Sequence, residues 1–129
     1  MRYSVVVIED DEAIRWLISK VLDKEYDVHS FGNVGNAMNH MNRIGLPDLI
    51  VTDIKLPVID GKDFLINLKK SGLFGNIPVI VISSWSDSQT KRECMQAGAD
   101  DYISKPFNPE KLLSTVDGVI RSNTRIMSS

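Results

Sequence analysis

Three short runs along the chain are apolar at nearly every position: Ser4 to Ile8, Asp48 to Thr52 and Pro78 to Ile82. Their β-branched residues mark them as strands. The lack of polar alternation implies that both faces of each strand are buried, as in a parallel sheet covered by helices on each side. Weaker runs at Tyr26 to Phe31 and Asp101 to Ile103 predict two more strands. Between these runs apolar residues recur three and four apart. Ile14, Leu17, Ile18, Val21 and Leu22 form one helical stripe. Leu112, Leu113, Val116, Val119 and Ile120 form another, opened by Asn108 as cap and Pro109 at the first helical position. Ala37, Met38, Met41 and Ile44 predict a helix ending at Gly45, and Phe64, Leu65 and Leu68 one ending near Gly72. The segment Asp87 to Gln96 has only Cys94, Met95 and nearby Ala97 to bury, so its helix is expected to dock weakly and move easily.

Strand then helix, five times over, predicts an α/β fold: a doubly wound five-stranded parallel sheet with five helices on two faces. One domain is expected over residues 1–122, with 123–129 a polar tail or the start of a linker. A chain of 129 residues has room for one such core and no more.

Charge and cysteine content narrow the partners. A formal net charge of -2, with no run of Lys or Arg, argues against direct nucleic-acid binding. Cys94 is the only cysteine, which excludes an intrachain disulfide and fits a reducing compartment. No stretch reads as a signal peptide or as a membrane span. A cytoplasmic location without membrane insertion is therefore expected.

Polar residues fall at one end of the predicted strands. Glu9 and Asp10 follow the first, Asp53 ends the third, Ser83 ends the fourth and Lys105 follows the fifth. Parallel strands place all their carboxyl ends on one edge of the sheet, so these residues should converge although they are far apart in sequence. Convergent carboxylates repel one another and need positive charge among them. Lys105 supplies some of it, and a hard, oxygen-liganded cation such as Mg2+ would supply more, with Mn2+ able to substitute. No histidine is placed to favour zinc. A carboxylate beside Mg2+ and an ammonium group is suited to attack phosphorus, which makes Asp53 the candidate nucleophile and phosphoacceptor. Ser83 adds a hydroxyl able to donate to a phosphoryl oxygen. Taken singly, each residue has an ordinary alternative: a turn for Asp53, a helix cap for Glu9 and Asp10, a surface position for Lys105 and a strand end for Ser83.

Three segments carry a resemblance to the response-regulator receiver domain, the CheY-like family. They are Val7-Ile8-Glu9-Asp10-Asp11, then Asp53-Ile54-Lys55-Leu56-Pro57 leading to Asp60-Gly61, then Gly98-Ala99-Asp100-Asp101-Tyr102-Ile103-Ser104-Lys105-Pro106-Phe107. The resemblance implies a flavodoxin-like strand order 2-1-3-4-5. It implies Asp53 as the phosphorylated carboxylate, and Glu9, Asp10, Asp53 and the backbone carbonyl of Lys55 as metal ligands, Asp10 binding directly. It further implies Ser83 and Lys105 as phosphate contacts, Ser83 and Tyr102 as switch residues, and a cis peptide between Lys105 and Pro106. The implied partners are a sensor histidine kinase or histidine phosphotransfer protein. An output domain or partner protein would meet the face of the fourth helix, fifth strand and fifth helix.

Glu9 stands where the family more commonly has Asp, and Ser83 where it has Thr; both keep the needed oxygens. Lys55 and Trp85 occupy positions resembling those that govern access of water to the phosphoryl group. Asp11 competes with Asp10 for the metal if the first strand is one residue longer; it is assigned here to the helix start, where a carboxylate suits the dipole. Trp16 lies off the apolar stripe of its helix and is expected to be exposed, as a docking contact or as a satellite packing residue.

Two other functions fit parts of this pattern. A Mg-dependent phosphohydrolase with an aspartyl-phosphate intermediate, resembling the haloacid dehalogenase class, would need a second acid where Lys55 stands. A receiver that works only through protein contacts would not need its full set of side chains. A flavodoxin-like flavin carrier is disfavoured, because Glu9 and Asp10 would repel the flavin phosphate.

Overall fold

A computed structural model describes residues 2–55, 61–84 and 88–128, with side chains through Asn123 in the last helix. The strands are β1 (Ser4–Ile8), β2 (Asp27–Phe31), β3 (Leu49–Asp53), β4 (Val79–Ser83) and β5 (Asp101–Ser104). The helices are α1 (Glu12–Leu22), α2 (Val34–Ile44), α3 (Gly61–Lys70), α4 (Ser88–Gln96) and α5 (Pro109–Ser128). All strand pairs are parallel and the sheet order is β2-β1-β3-β4-β5, the doubly wound arrangement expected. Among the described residues no helix is long and apolar enough to cross a membrane.

The unbroken apolar runs do bury on both faces. Alternate residues of β1, β3 and β4 point to opposite sides of the sheet. On one side Val6, Ile8, Ile50, Val79 and Val81 meet residues of α2, α3 and α4, including Met41, Leu65 and Cys94. On the other Val5, Val7, Leu49, Val51, Ile80 and Ile82 meet Ile18 and Leu22 of α1 and Leu112, Val116 and Ile120 of α5. Local signals set the helix ends. Asp11 caps α1, its Oδ1 accepting from the Ile14 N–H at 3.0 Å. Asn108 caps α5, accepting from the Glu110 N–H at 2.7 Å. Gly45, at φ 129°, closes α2 in a conformation that side-chain-bearing residues rarely adopt.

Three expectations need correction. Leu17 is 38% exposed, because a helix advancing about 100° per residue puts it on the flank of a stripe centred on Ile18 and Leu22. Ile44 is also exposed, since the chain turns away at Gly45 before that side chain can reach the sheet. Finally, α5 continues to Ser128, so residues 123–128, expected within a polar tail or the start of a linker, have a helical backbone. They contain neither Gly nor Pro to stop the helix once the apolar stripe ends.

Candidate functional site

Strand register brings the acids together. Ile8 pairs with Thr52, so Glu9, one residue past the end of β1, lies level with Asp53, the last residue of β3. Asp53 pairs with Ile82 of β4, and Ser83 pairs with Ser104 of β5. The Lys105 N–H then donates to the Ser83 carbonyl at 2.7 Å, which fixes the lysine's main chain beside the end of β4. The Lys105–Pro106 peptide is cis.

Lys105 Nζ donates to Glu9 Oε1 at 2.5 Å and to Asp53 Oδ2 at 3.0 Å. The other oxygens are held by main-chain donors: Asp53 Oδ1 accepts from the Lys55 N–H at 3.0 Å and Glu9 Oε2 from the Asp11 N–H at 3.2 Å. Glu9 is 1% exposed and Asp53 7%, whereas Asp10 faces solvent. One carboxylate oxygen from each of Glu9, Asp10 and Asp53 lies within 4.8 Å of the other two.

Burial pushes the Glu9 carboxyl up to about 7, against the pull of its Lys105 hydrogen bond and with the Asp53 charge adding to the rise. Burial also works against the Lys105 charge, yet the hydrogen bonds and charges of Glu9 and Asp53 hold its pKa above the ordinary lysine value. Glu9 and Asp53 thus share the Lys105 ammonium, with an oxygen of Asp10 close to both, and Glu9 retains a proton up to about neutral pH. An all-oxygen donor set with an excess of negative charge suits a hard divalent cation, so these residues fit Mg2+.

The remaining candidates take less central places. Ser83 is buried at the end of β4, and Tyr102 is buried on β5 among the side chains facing α2, α3 and α4. Register places Tyr102 beside Val81, on the same sheet face as Ser83 and two residues from it along the strands. Lys55 is exposed just beyond β3. Trp16 is 61% exposed on α1, with the Lys20 ammonium 5.7 Å from its ring centroid. Trp85, Leu56, Pro57 and Asp60 lie outside the described residues. Sequence reasoning missed Arg15, whose Nη1 donates to the Glu9 carbonyl at 2.8 Å. Its only advance signal is an arginine early in α1 facing a glycine just past β2.

An acid and lysine cluster at the carboxyl ends of an open parallel sheet stands where α/β folds of this kind place their sites. The chain belongs to the response regulator receiver domain family, whose model matches residues 5–117. It is 31% identical to the phosphate regulon transcriptional regulatory protein PhoB of Escherichia coli, over 94% of this chain and 53% of that protein. It is 28% identical to histidine kinase P4 of Formosa agariphila, over 95% of this chain and 9% of the kinase. Among solved structures, the BeF3-activated receiver domain of DrrB from Thermotoga maritima superposes with a TM-score of 0.81 at 30% identity, covering 94% of this chain and 99% of that one. The chain therefore spans about half the length of the first regulator it matches. Receiver domains of this kind occur in two-component response regulators and in kinases, and pair with histidine kinases and output domains.

Proposed function

We propose that Asp53 accepts a phosphoryl group from a phosphohistidine on a kinase or phosphotransfer protein, and that this rearranges the surface an output partner reads. The observation that carries this reading is Lys105 Nζ bridging Glu9 and Asp53, with the carboxylate of Asp10 alongside. An Asp53 oxygen attacks phosphorus, the bond from phosphorus to the donor's imidazole nitrogen breaks, and the imidazole leaves with that electron pair. Lys105 then faces a phosphoryl oxygen in place of a carboxylate oxygen. When bound to Glu9, Asp10, Asp53 and the Lys55 carbonyl, Mg2+ or Mn2+ would neutralise charge on the transferring group. Ser83 donates its hydroxyl to the phosphoryl group, and Tyr102 follows it on the same sheet face. The helix cheapest to move is α4, in which Cys94 is the one buried residue.

The phosphohydrolase reading is weakened by Lys55, which offers Asp53 a main-chain N–H where that chemistry needs an acid. The contact-only reading leaves the assembled site without a purpose. A net charge of -2 disfavours direct nucleic-acid binding by this domain. The direct test is acetyl phosphate with Mg2+. The protein should gain the mass of one phosphoryl group, and its amide resonances should move at Ser83, Tyr102, α4 and α5. No gain in mass rejects the phosphoacceptor; a gain without shifts on that face rejects the switch.

Mg2+ affinity should depend on pH in a defined direction. Glu9 has a folded pKa raised above its unfolded value, so its contribution to stability is present below about 4.5 and lost as pH rises through about 7. A cation that needs the ionised carboxylate competes with that proton. Affinity should therefore climb by up to about tenfold per pH unit below 7 and level off above it. Calorimetric titrations giving one dissociation constant from pH 5.5 to about 8 would show that Glu9 does not hold the metal.

Trp16 provides the apolar contact for the phosphodonor protein. Trp16→Ala should slow transfer from a phosphorylated histidine kinase by about tenfold while leaving acetyl phosphate labelling unchanged. Equal transfer rates for variant and wild type would assign this tryptophan to local packing on α1.

A further inference from the structure

We propose that Arg15 is a positioning residue for the Glu9–Asp10 turn, with its guanidinium packed against the bare backbone of Gly32. The inference rests on the metal-assisted phosphoacceptor reading and identifies what keeps two of its acids in register. Because β1 ends at Ile8, the Glu9 carbonyl has passed beyond the strand ladder. A polar main-chain group at this partly buried level needs another partner. Arg15 supplies it, with Nη1 donating to that carbonyl at 2.8 Å. On the other side of the same residue, the Glu9 N–H donates to the Phe31 carbonyl at 3.0 Å. The main chain of Glu9 is thus gripped from both sides, while its carboxylate is held by Lys105 and by the Asp11 N–H.

The guanidinium is itself confined. Its main chain stands in the first turn of α1, the Arg15 N–H donating to the carbonyl of the capping Asp11 at 2.9 Å. Its head lies against Gly32, one residue past β2, where a Cβ would stand 2.9 Å from Nη1 and 3.8 Å from Cζ. A planar, rigid donor wedged between the ends of β1 and β2 sets direction as well as distance, which a flexible ammonium does less well. Without this brace the turn can relax under the mutual repulsion of Glu9, Asp10 and Asp53. The carboxylates would then present a looser donor set to a divalent ion.

Arg15→Ala and Gly32→Ala test this from two directions, the second by pushing the guanidinium away with a single methyl group while the arginine remains. In calorimetric titration with Mg2+ alone, Arg15→Ala should raise the dissociation constant by about tenfold, and Gly32→Ala by a smaller factor. Circular dichroism should show both variants folded. The amide resonances of Asp10 and Asp11 should shift in the ion-free variants, and Arg15→Lys, which can still donate to the same carbonyl, should recover part of the affinity. Unchanged affinity in Arg15→Ala, with normal binding by the wild type, overturns the assignment and leaves Asp53 as phosphoacceptor. A loss that Arg15→Lys does not lessen overturns it too, marking damage to the helix. Failure of the wild type to bind Mg2+ overturns this inference and the metal-assisted reading together.

Discussion

Asp53→Asn is expected to remain folded and to take up no phosphoryl group from acetyl phosphate under conditions that label the wild type fully. An amide oxygen is a poor nucleophile and cannot form an acyl phosphate by the same displacement, so the loss should be complete. The fold should tolerate the change. An asparagine oxygen can still accept from the Lys55 N–H, and Lys105 keeps Glu9 as a partner at 2.5 Å. Removing one of three clustered carboxylates also lessens repulsion, so thermal stability should hold or rise. Intact-mass spectrometry beside a thermal melt reads both effects, and equal labelling of variant and wild type would remove Asp53 from its assigned role.

Lys105→Ala should have the largest effect on stability. Its ammonium is the partner of two acids that are 1% and 7% exposed, and removing one side of a buried ion pair costs roughly 3–5 kcal/mol because the remaining charge has no compensation. The cost should fall at low pH. Glu9 titrates near 7 even with the lysine present, so acid lets it become neutral and no longer need a cation. Urea unfolding without divalent ions should therefore show a large deficit at about pH 8 that narrows towards about pH 5. Adding Glu9→Gln, or saturating Mg2+, should restore much of the loss. A deficit independent of pH and unrelieved by either would mean that the lysine matters for packing alone.

The buried strands were readable because nothing polar interrupts them, and their parallel arrangement made the convergence of Glu9, Asp53 and Lys105 a matter of topology. The same logic could not rank Glu9 against Asp10. Adjacent residues leaving a strand point in different directions, and here Glu9 turns inward while Asp10 meets water. Leu17 and Ile44 escaped because apolar spacing marks a face without saying how far the sheet extends beneath it. Arg15 and Gly32 left only a faint signature. Their part is a side chain meeting main chain across two turns, and neither periodicity nor residue type records such a contact.

The sheet order leaves β2 and β5 at its two margins. Both carry polar or charged residues: Asp27, His29 and Ser30 on one, Asp101 and Ser104 on the other. Open strand margins are natural templates for recruiting further chains, and charge there discourages such recruitment. The strongly hydrophobic β1, β3 and β4 are thus enclosed between two margins ill-suited to aggregation.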